Sequence, residues 1–289
     1  MDKYKKKVTL NNTGLVDSLF IRHNAKTKLS LRAFRWLSVF LITMLFVLSY
    51  HADIQMLEGT LVGSRFIGFH LIDPTVFLQY MFASHMFPVN LVIGTFTIVF
   101  FYLIFGRAFC SWVCPYGLIS ELGEKLNNIL VTKKIVKPHT PPKYMNAVFF
   151  ALFMLLSFAT GYLIFETINP VGIISRVILY GTWGSIVILV LIFMLEILVG
   201  RRIWCRAVCP VGFVYGLLNI VSAVKVHYGT DCDNCGSCRS VCHVPHVLES
   251  TGKGVEKYIT HIDCTMCGRC IDVCHNDTLT YKSRLKKLV

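Results

Sequence analysis

A chain of 289 residues with 54% hydrophobic content and a mean hydropathy of +0.59 is not composed like an ordinary soluble domain of its size. Its formal charge of +13 would suggest nucleic acid in a soluble protein, but the basic residues cluster beside apolar runs, where they mark the cytoplasmic side and attract anionic lipid. The composition therefore excludes a nucleic-acid-binding module and predicts a membrane protein.

In chain order, a basic segment over 1–35 is followed by four apolar runs, at about 36–50, 88–105, 144–165 and 181–200. Each approaches the ~20 residues that a helix needs to cross the hydrocarbon core. The first is the shortest and draws on Arg32 and Arg35 snorkelling at its inner end; lying behind the whole basic segment and lacking a small-x-small cleavage site, it is predicted to stay as an anchor. Lysine and arginine count nine before the first run, six between the second and third and twelve after the fourth, with only Arg65 and Arg176 in the other two connections. By the positive-inside rule the expected fold is an all-α polytopic domain of four transmembrane helices over 36–224, multi-pass in a bacterial inner membrane with both termini cytoplasmic. All twelve cysteines then face the reducing compartment, where cysteine clusters bind metal more readily than they form disulfides.

The helical region reads as one unit written twice. Asp73-Pro74 and Asn169-Pro170 each pair an N-cap residue with proline at the first helical position, and each precedes an apolar run. At nearly the same offset come Cys110-Ser111-Trp112-Val113-Cys114-Pro115 and Cys205-Arg206-Ala207-Val208-Cys209-Pro210. Both units begin and end on one side, so they are expected as parallel repeats whose Cys-x3-Cys-Pro motifs face each other. Pro115 and Pro210 are predicted to start helices, while Gly106 and Gly200 can end the runs before them. The thiols then lie near helix N-termini beside Arg107, Arg201, Arg202 and Arg206, a setting that favours thiolate. Three readings stay open for Cys110, Cys114, Cys205 and Cys209: a jointly bound metal or cluster, redox-active dithiols, or inert thiols. Their equal repeat positions rank the first highest.

Over 225–289 eight cysteines repeat one spacing, Cys-x2-Cys-x2-Cys-x3-Cys: Cys232, Cys235, Cys238, Cys242, then Cys264, Cys267, Cys270, Cys274. This is the bacterial ferredoxin run, in which three thiolates grip one cluster and the fourth crosses to its neighbour. The assignment is Cys232, Cys235, Cys238 and Cys274 for one [4Fe–4S] cluster and Cys264, Cys267, Cys270 and Cys242 for the second, in a small α+β domain. Zinc, which favours paired Cys-x2-Cys arms, explains two complete runs poorly.

With these motifs together the chain resembles the polyferredoxin-type membrane quinol dehydrogenases, and within them the NapH-type component of periplasmic nitrate reductase systems. The resemblance implies oxidation of menaquinol or ubiquinol from the membrane pool, with electrons passed through the clusters to a partner iron–sulfur subunit and indirectly to the nitrate reductase. The chain departs from the ferredoxin pattern after each fourth cysteine, where His243 and His275 replace the usual proline; a solvent-facing histidine is the ordinary outcome. Quinol oxidation releases two protons, which makes His85, Glu166 and Glu196 the candidate proton-handling residues: His85 closes an apolar stretch, Glu166 ends the third run and Glu196 falls inside the fourth. The alternative, from another class, is a membrane-bound polyferredoxin acting in metal-centre assembly or metal-ion reduction. A passive anchor that only relays electrons and a transporter fit less well.

Overall fold

The computed structural model describes residues 20–23, 26–51, 57–66, 69–137, 139, 141–142, 144–249, 254, 256–274 and 276–284; most of the predicted basic segment lies outside them. A hairpin, β1 (Phe20–His23) and β2 (Lys26–Leu29), leads into α1 (Leu31–His51), whose first amides are capped from two directions. Ser30 Oγ accepts from the Ala33 N–H at 3.2 Å, and Asp272, far along the chain, accepts from the Leu31 N–H at 3.0 Å. A carboxylate at a helix N-terminus satisfies orphan donors and suits the helix dipole.

A three-stranded antiparallel meander, β3 (Leu57–Thr60), β4 (Gly63–Phe66) and β5 (Phe69–Ile72), precedes the first repeat unit, which runs α2 (Pro74–Ser84), α3 (Val89–Phe105), α4 (Phe109–Trp112) and α5 (Tyr116–Thr132). After α6 (Met145–Thr160) and the short α7 (Ile164–Ile168), the second unit runs α8 (Pro170–Tyr180), α9 (Ile186–Leu198), one π-helical turn (Trp204–Val208) and α10 (Pro210–Val221). The caps repeat as the sequence reading expects. Asp73 Oδ1 accepts from the Thr75 N–H at 2.7 Å to start α2, and Asn169 Oδ1 accepts from the Val171 N–H at 3.1 Å to start α8. Both helices stop on a left-handed residue, His85 at φ 53° and Gly181 at φ 63°. The units interlock: α5 packs on α9 while α10 packs on α3, and α1 packs on α8 while α6 packs on α2.

The four predicted transmembrane helices do not form. Among the described residues only α1 is long and apolar enough to cross a membrane. Helices α3, α6 and α9 have 17, 16 and 13 residues. At 1.5 Å per residue α9 is about 20 Å long, against a hydrocarbon core of about 30 Å. The apolar runs outlast the helices within them: Gly161 turns left-handed and ends α6, while Gly181 and the 3-10 turn Trp183–Ser185 consume the start of the last run. The polytopic fold and the multi-pass inner-membrane placement built on it are therefore corrected to a mostly helical region with one candidate span, α1. The run that looked shortest is the longest helix, because it extends back through Arg32 and Arg35. These do not snorkel: they pair with Glu121 at 2.6 and 3.5 Å, and Arg35 is 1% exposed.

The chain ends in an α+β ferredoxin-like region. Its sheet has β6 (Val224–Tyr228) central, antiparallel to both β7 (Lys257–Tyr258) and β8 (Leu279–Ser283), with short helices α11 (Ser237–Val241) and α12 (Arg269–Asp272). Val226, Tyr228, Val244, Leu248, Ile259 and Leu279 form its core.

Candidate functional site: three four-cysteine cavities

The tail folds its two cysteine runs into equivalent loops. Asn234 and Met266 are left-handed at φ 56° and 54°, and Gly236 and Gly268 at φ 78° and 75°, so the same bends recur at the same places between cysteines. Non-glycine residues adopt this region at a cost, which a tightly determined loop must offset. One cavity, with about 450 Å³ of free space, is lined by Cys232, Cys235, Cys238 and Cys274. A second, of about 410 Å³, is lined by Cys242, Cys264, Cys267 and Cys270. Each run thus lends its fourth cysteine to the other cavity, and the all-thiol donor set fits a cubane iron–sulfur cluster.

His243 is 4% exposed, with Nε2 3.2 Å from Thr265 Oγ1, so it faces inward rather than toward solvent. Burial and the nearby Arg202 and Arg269 hold it well below the ordinary histidine range, as a neutral ring. His275 lies outside the described residues.

The third cavity is a cleft of about 530 Å³ between the repeats. Cys110 and Cys114 line it from one unit, Cys205 and Cys209 from the other, along with the paired caps Asp73 and Asn169 and the paired aromatics Phe109 and Trp204. Asp73 is buried, accepts from Tyr215 Oη at 2.9 Å, and is raised by burial against the opposing hydrogen bonds of Thr75 and Tyr215. Burial opposes the expectation of thiolates at three of the four cysteines. Burial pushes the Cys114 and Cys205 thiols up, and Cys209 up to about 12. The arginines offset this only in part: Arg107 acts on Cys209 and Arg202 on Cys205, but Arg202 Nε also donates to Glu124 at 3.1 Å, and Arg107 to the carbonyls of Ile262 and Cys205 at 3.1 and 3.4 Å. With Cys114, Cys205 and Cys209 raised by burial, a bound metal that displaces their protons is the natural partner of the set, which suits a metal-receiving site.

Two of the three proton-handling candidates flank this cleft. Glu166 accepts from Asn169 Nδ2 at 3.1 Å and lies 3.8 Å from Arg176; burial, opposed by those partners, brings it to about 6. Glu196 is fully buried on α9, accepts from Ser120 Oγ at 3.0 Å, interacts electrostatically with Cys205, and is brought by burial to about 7. His85 stands apart, exposed at the end of α2 with its ring edge against Phe158.

The sequence reading missed the seam between tail and helices. Carbonyls of the Ile262–Cys267 loop accept from Arg107, Asn219, Ser111, Trp112 and Arg35, with Ser111 Oγ to Thr265 O at 2.8 Å and Trp112 Nε1 to Met266 O at 3.1 Å. Below it, Glu121 and Glu124 hold Arg32, Arg35, Arg202 and Arg269 in one buried network. Burial would raise both carboxyls, but the arginines hold Glu121 well below, and Glu124 below, the ordinary range.

Convergent cysteine cavities joined to one another through the fold define a ferredoxin-type iron–sulfur protein with an electron-transfer role. The chain matches the 4Fe-4S binding domain family twice, over residues 87–138 and 182–227, which supports two iron–sulfur clusters. Those segments contain Cys110, Cys114, Cys205 and Cys209, and the tail cysteines lie beyond them. The methylamine utilization ferredoxin-type protein MauN of Methylorubrum extorquens is 32% identical over 78% of this chain and 80% of its own length. MauN of Paracoccus denitrificans is 34% identical over 70% and 72%. The ferredoxin-type protein NapH of Escherichia coli is 32% identical over 76% and 78%. The chain belongs to this family of ferredoxin-type proteins. No solved structure matches it.

Proposed function

We propose that the chain passes single electrons from its tail to a metal ion held by Cys110, Cys114, Cys205 and Cys209, and so serves metal-ion reduction or metal-centre assembly. The observation that carries this reading is the convergence of four thiols in one buried cleft against the Ile262–Cys267 loop. Cys232, Cys235, Cys238 and Cys274 would hold one [4Fe–4S] cluster and Cys242, Cys264, Cys267 and Cys270 the other; bound there, the clusters supply one-electron chemistry. The cleft residues do the rest. Thiol ligands favour a soft ion such as Cu(I) over Cu(II), so binding pulls the electron onto the metal while the displaced thiol protons leave to water. A reduced one-electron carrier protein is oxidised by one electron and the metal ion is reduced by one.

A second reading, a quinol dehydrogenase feeding a partner iron–sulfur protein and in the end a nitrate reductase, is favoured by Glu166 and Glu196. Burial raises these two carboxyls beside an apolar-walled cleft to about 6 and about 7, which makes their ionised forms better proton acceptors, one for each proton of a quinol. His85, the third proton-handling candidate of this reading, stands apart from the cleft.

The test loads the protein anaerobically, reduces it, removes the reductant and adds one equivalent of Cu(II). In wild type the Cu(II) paramagnetic resonance signal should vanish as one electron's share of the reduced-cluster signal is lost with it. The double variant Cys110→Ser, Cys205→Ser should retain its clusters but react at least tenfold more slowly. Equal rates would overturn the metal reading, and cluster signals that grow when a reduced menaquinone analogue meets oxidised protein would establish the quinol one.

A further inference from the structure

The two tail cavities sit in opposite surroundings. The Cys264 loop is the inner one: five donors of the helical region clamp its carbonyls, Ser111 beside Cys110 donates to Thr265 O, and Arg107 bridges Ile262 O and Cys205 O. Buried cations crowd it. Arg35 and Arg269 interact with Cys267, and Arg107 and Lys225 with Cys264. Lys225 is fully buried and its ammonium has no hydrogen-bond partner among the described residues. Glu121 and Glu124 offset two of the four arginines in their network, and Asp263 and Asp272 lie nearby, yet cations remain in excess. By contrast, Cys235 is exposed, Asp231 and Asp233 flank Cys232 at the surface, and the cation acting on Cys238 is the half-buried Arg239. Buried charges act at low dielectric and are little screened, whereas exposed ones are damped by water and salt.

Resting on the reading that both tail sets hold [4Fe–4S] clusters, we infer that the Cys242, Cys264, Cys267 and Cys270 site is the inner and more easily reduced of the two, that the Cys232, Cys235, Cys238 and Cys274 site is the port to a one-electron carrier protein, and that electrons run inward to the four-cysteine cleft. Reduction adds a negative charge, and the buried cations stabilise that charge at the inner site. With clusters bound, the carrier would be oxidised by losing one electron at the port, and that electron would reduce the metal ion in the cleft by way of the inner site, with no proton required on the way.

An anaerobic redox titration of the holoprotein, followed by paramagnetic resonance, should give two waves at least 59 mV apart, a tenfold difference in the one-electron equilibrium. In wild type, a water-soluble dysprosium chelate should speed relaxation of the lower-potential signal more. Lys225→Met should lower only the higher wave, by a further tenfold in equilibrium, and Arg239→Gln should move only the lower one. Coincident waves, a chelate effect on the higher-potential signal as large as or larger than on the lower, or a Lys225→Met shift in the lower wave would overturn the inference. An iron content well short of about eight atoms per chain would instead sink the two-cluster reading beneath it.

Discussion

At the scale of single residues, the cleft is surrounded by groups whose burial costs more than their contacts return, and Glu196 states this most clearly. Its carboxylate has no solvent exposure, and its Oε1 accepts from Ser120, with Tyr116 a second hydrogen-bonding neighbour. Its folded value of about 7 exceeds the ordinary 4.5, so the folded chain holds a proton that the unfolded chain has released. Stability from this group is present below about pH 4.5, falls as pH rises through 7 and is flat beyond, a swing of up to about 3 kcal/mol. Glu196→Gln keeps the shape and accepts the same hydroxyl. It should leave the melting temperature unchanged at pH 5 and raise it at pH 8; a variant as pH-sensitive as wild type would show that the acid lies elsewhere. His243 teaches the converse. Its place after a fourth cysteine was legible, its neutral state was not, because that depends on burial together with the charges of Arg202 and Arg269 arriving from other segments.

At the scale of elements, α5 decides how the parts meet. Ser120, Glu121, Glu124, Asn127 and Asn128 form a polar stripe at helical spacing, which sequence reads as a solvated face. All five are buried, because the stripe faces α9 and the four arginines, not water. Amphipathic periodicity reports a polar face without naming its partner. Burying an ion pair gives little net stability, but removing one member strands the other, at about 3–5 kcal/mol. Glu124→Gln would leave Arg202 and Arg269 sharing Glu121 alone, and should lower the melting temperature sharply and speed proteolysis between α10 and β6. Glu166→Gln breaks a partly exposed pair at 3.8 Å and should cost under about 1 kcal/mol. Equal losses in the two variants would mean that the buried network does not hold the elements together.

At the scale of the whole molecule, the caps, the repeat and the tandem cysteine runs were legible because each is local chemistry at fixed spacing. The spans were not, since apolar composition cannot say where Gly161 or Gly181 will turn the chain and stop a helix. Nor was the seam, which joins residues far apart in sequence through backbone carbonyls that no motif encodes. Gly216 on α10 tests that seam. A methyl there would meet both Ile262 Cγ1 and the Ile262 carbonyl oxygen at 2.7 Å, and the carbonyl is backbone that cannot swing aside. Against this clash stands the helix propensity of alanine, up to about 1 kcal/mol over glycine. If the tail were loosely tethered, it would shift and the propensity would win, so Gly216→Ala would stabilise. Because Arg107, Asn219 and Ser111 pin the same loop, the clash should win instead. Gly216→Ala should then keep its iron, since no cysteine moves within the tail, while transfer between tail and cleft slows at least tenfold and the connection between α10 and β6 becomes a protease site. A stabilised variant with undiminished transfer would mean that tail and cleft communicate by some route other than this contact.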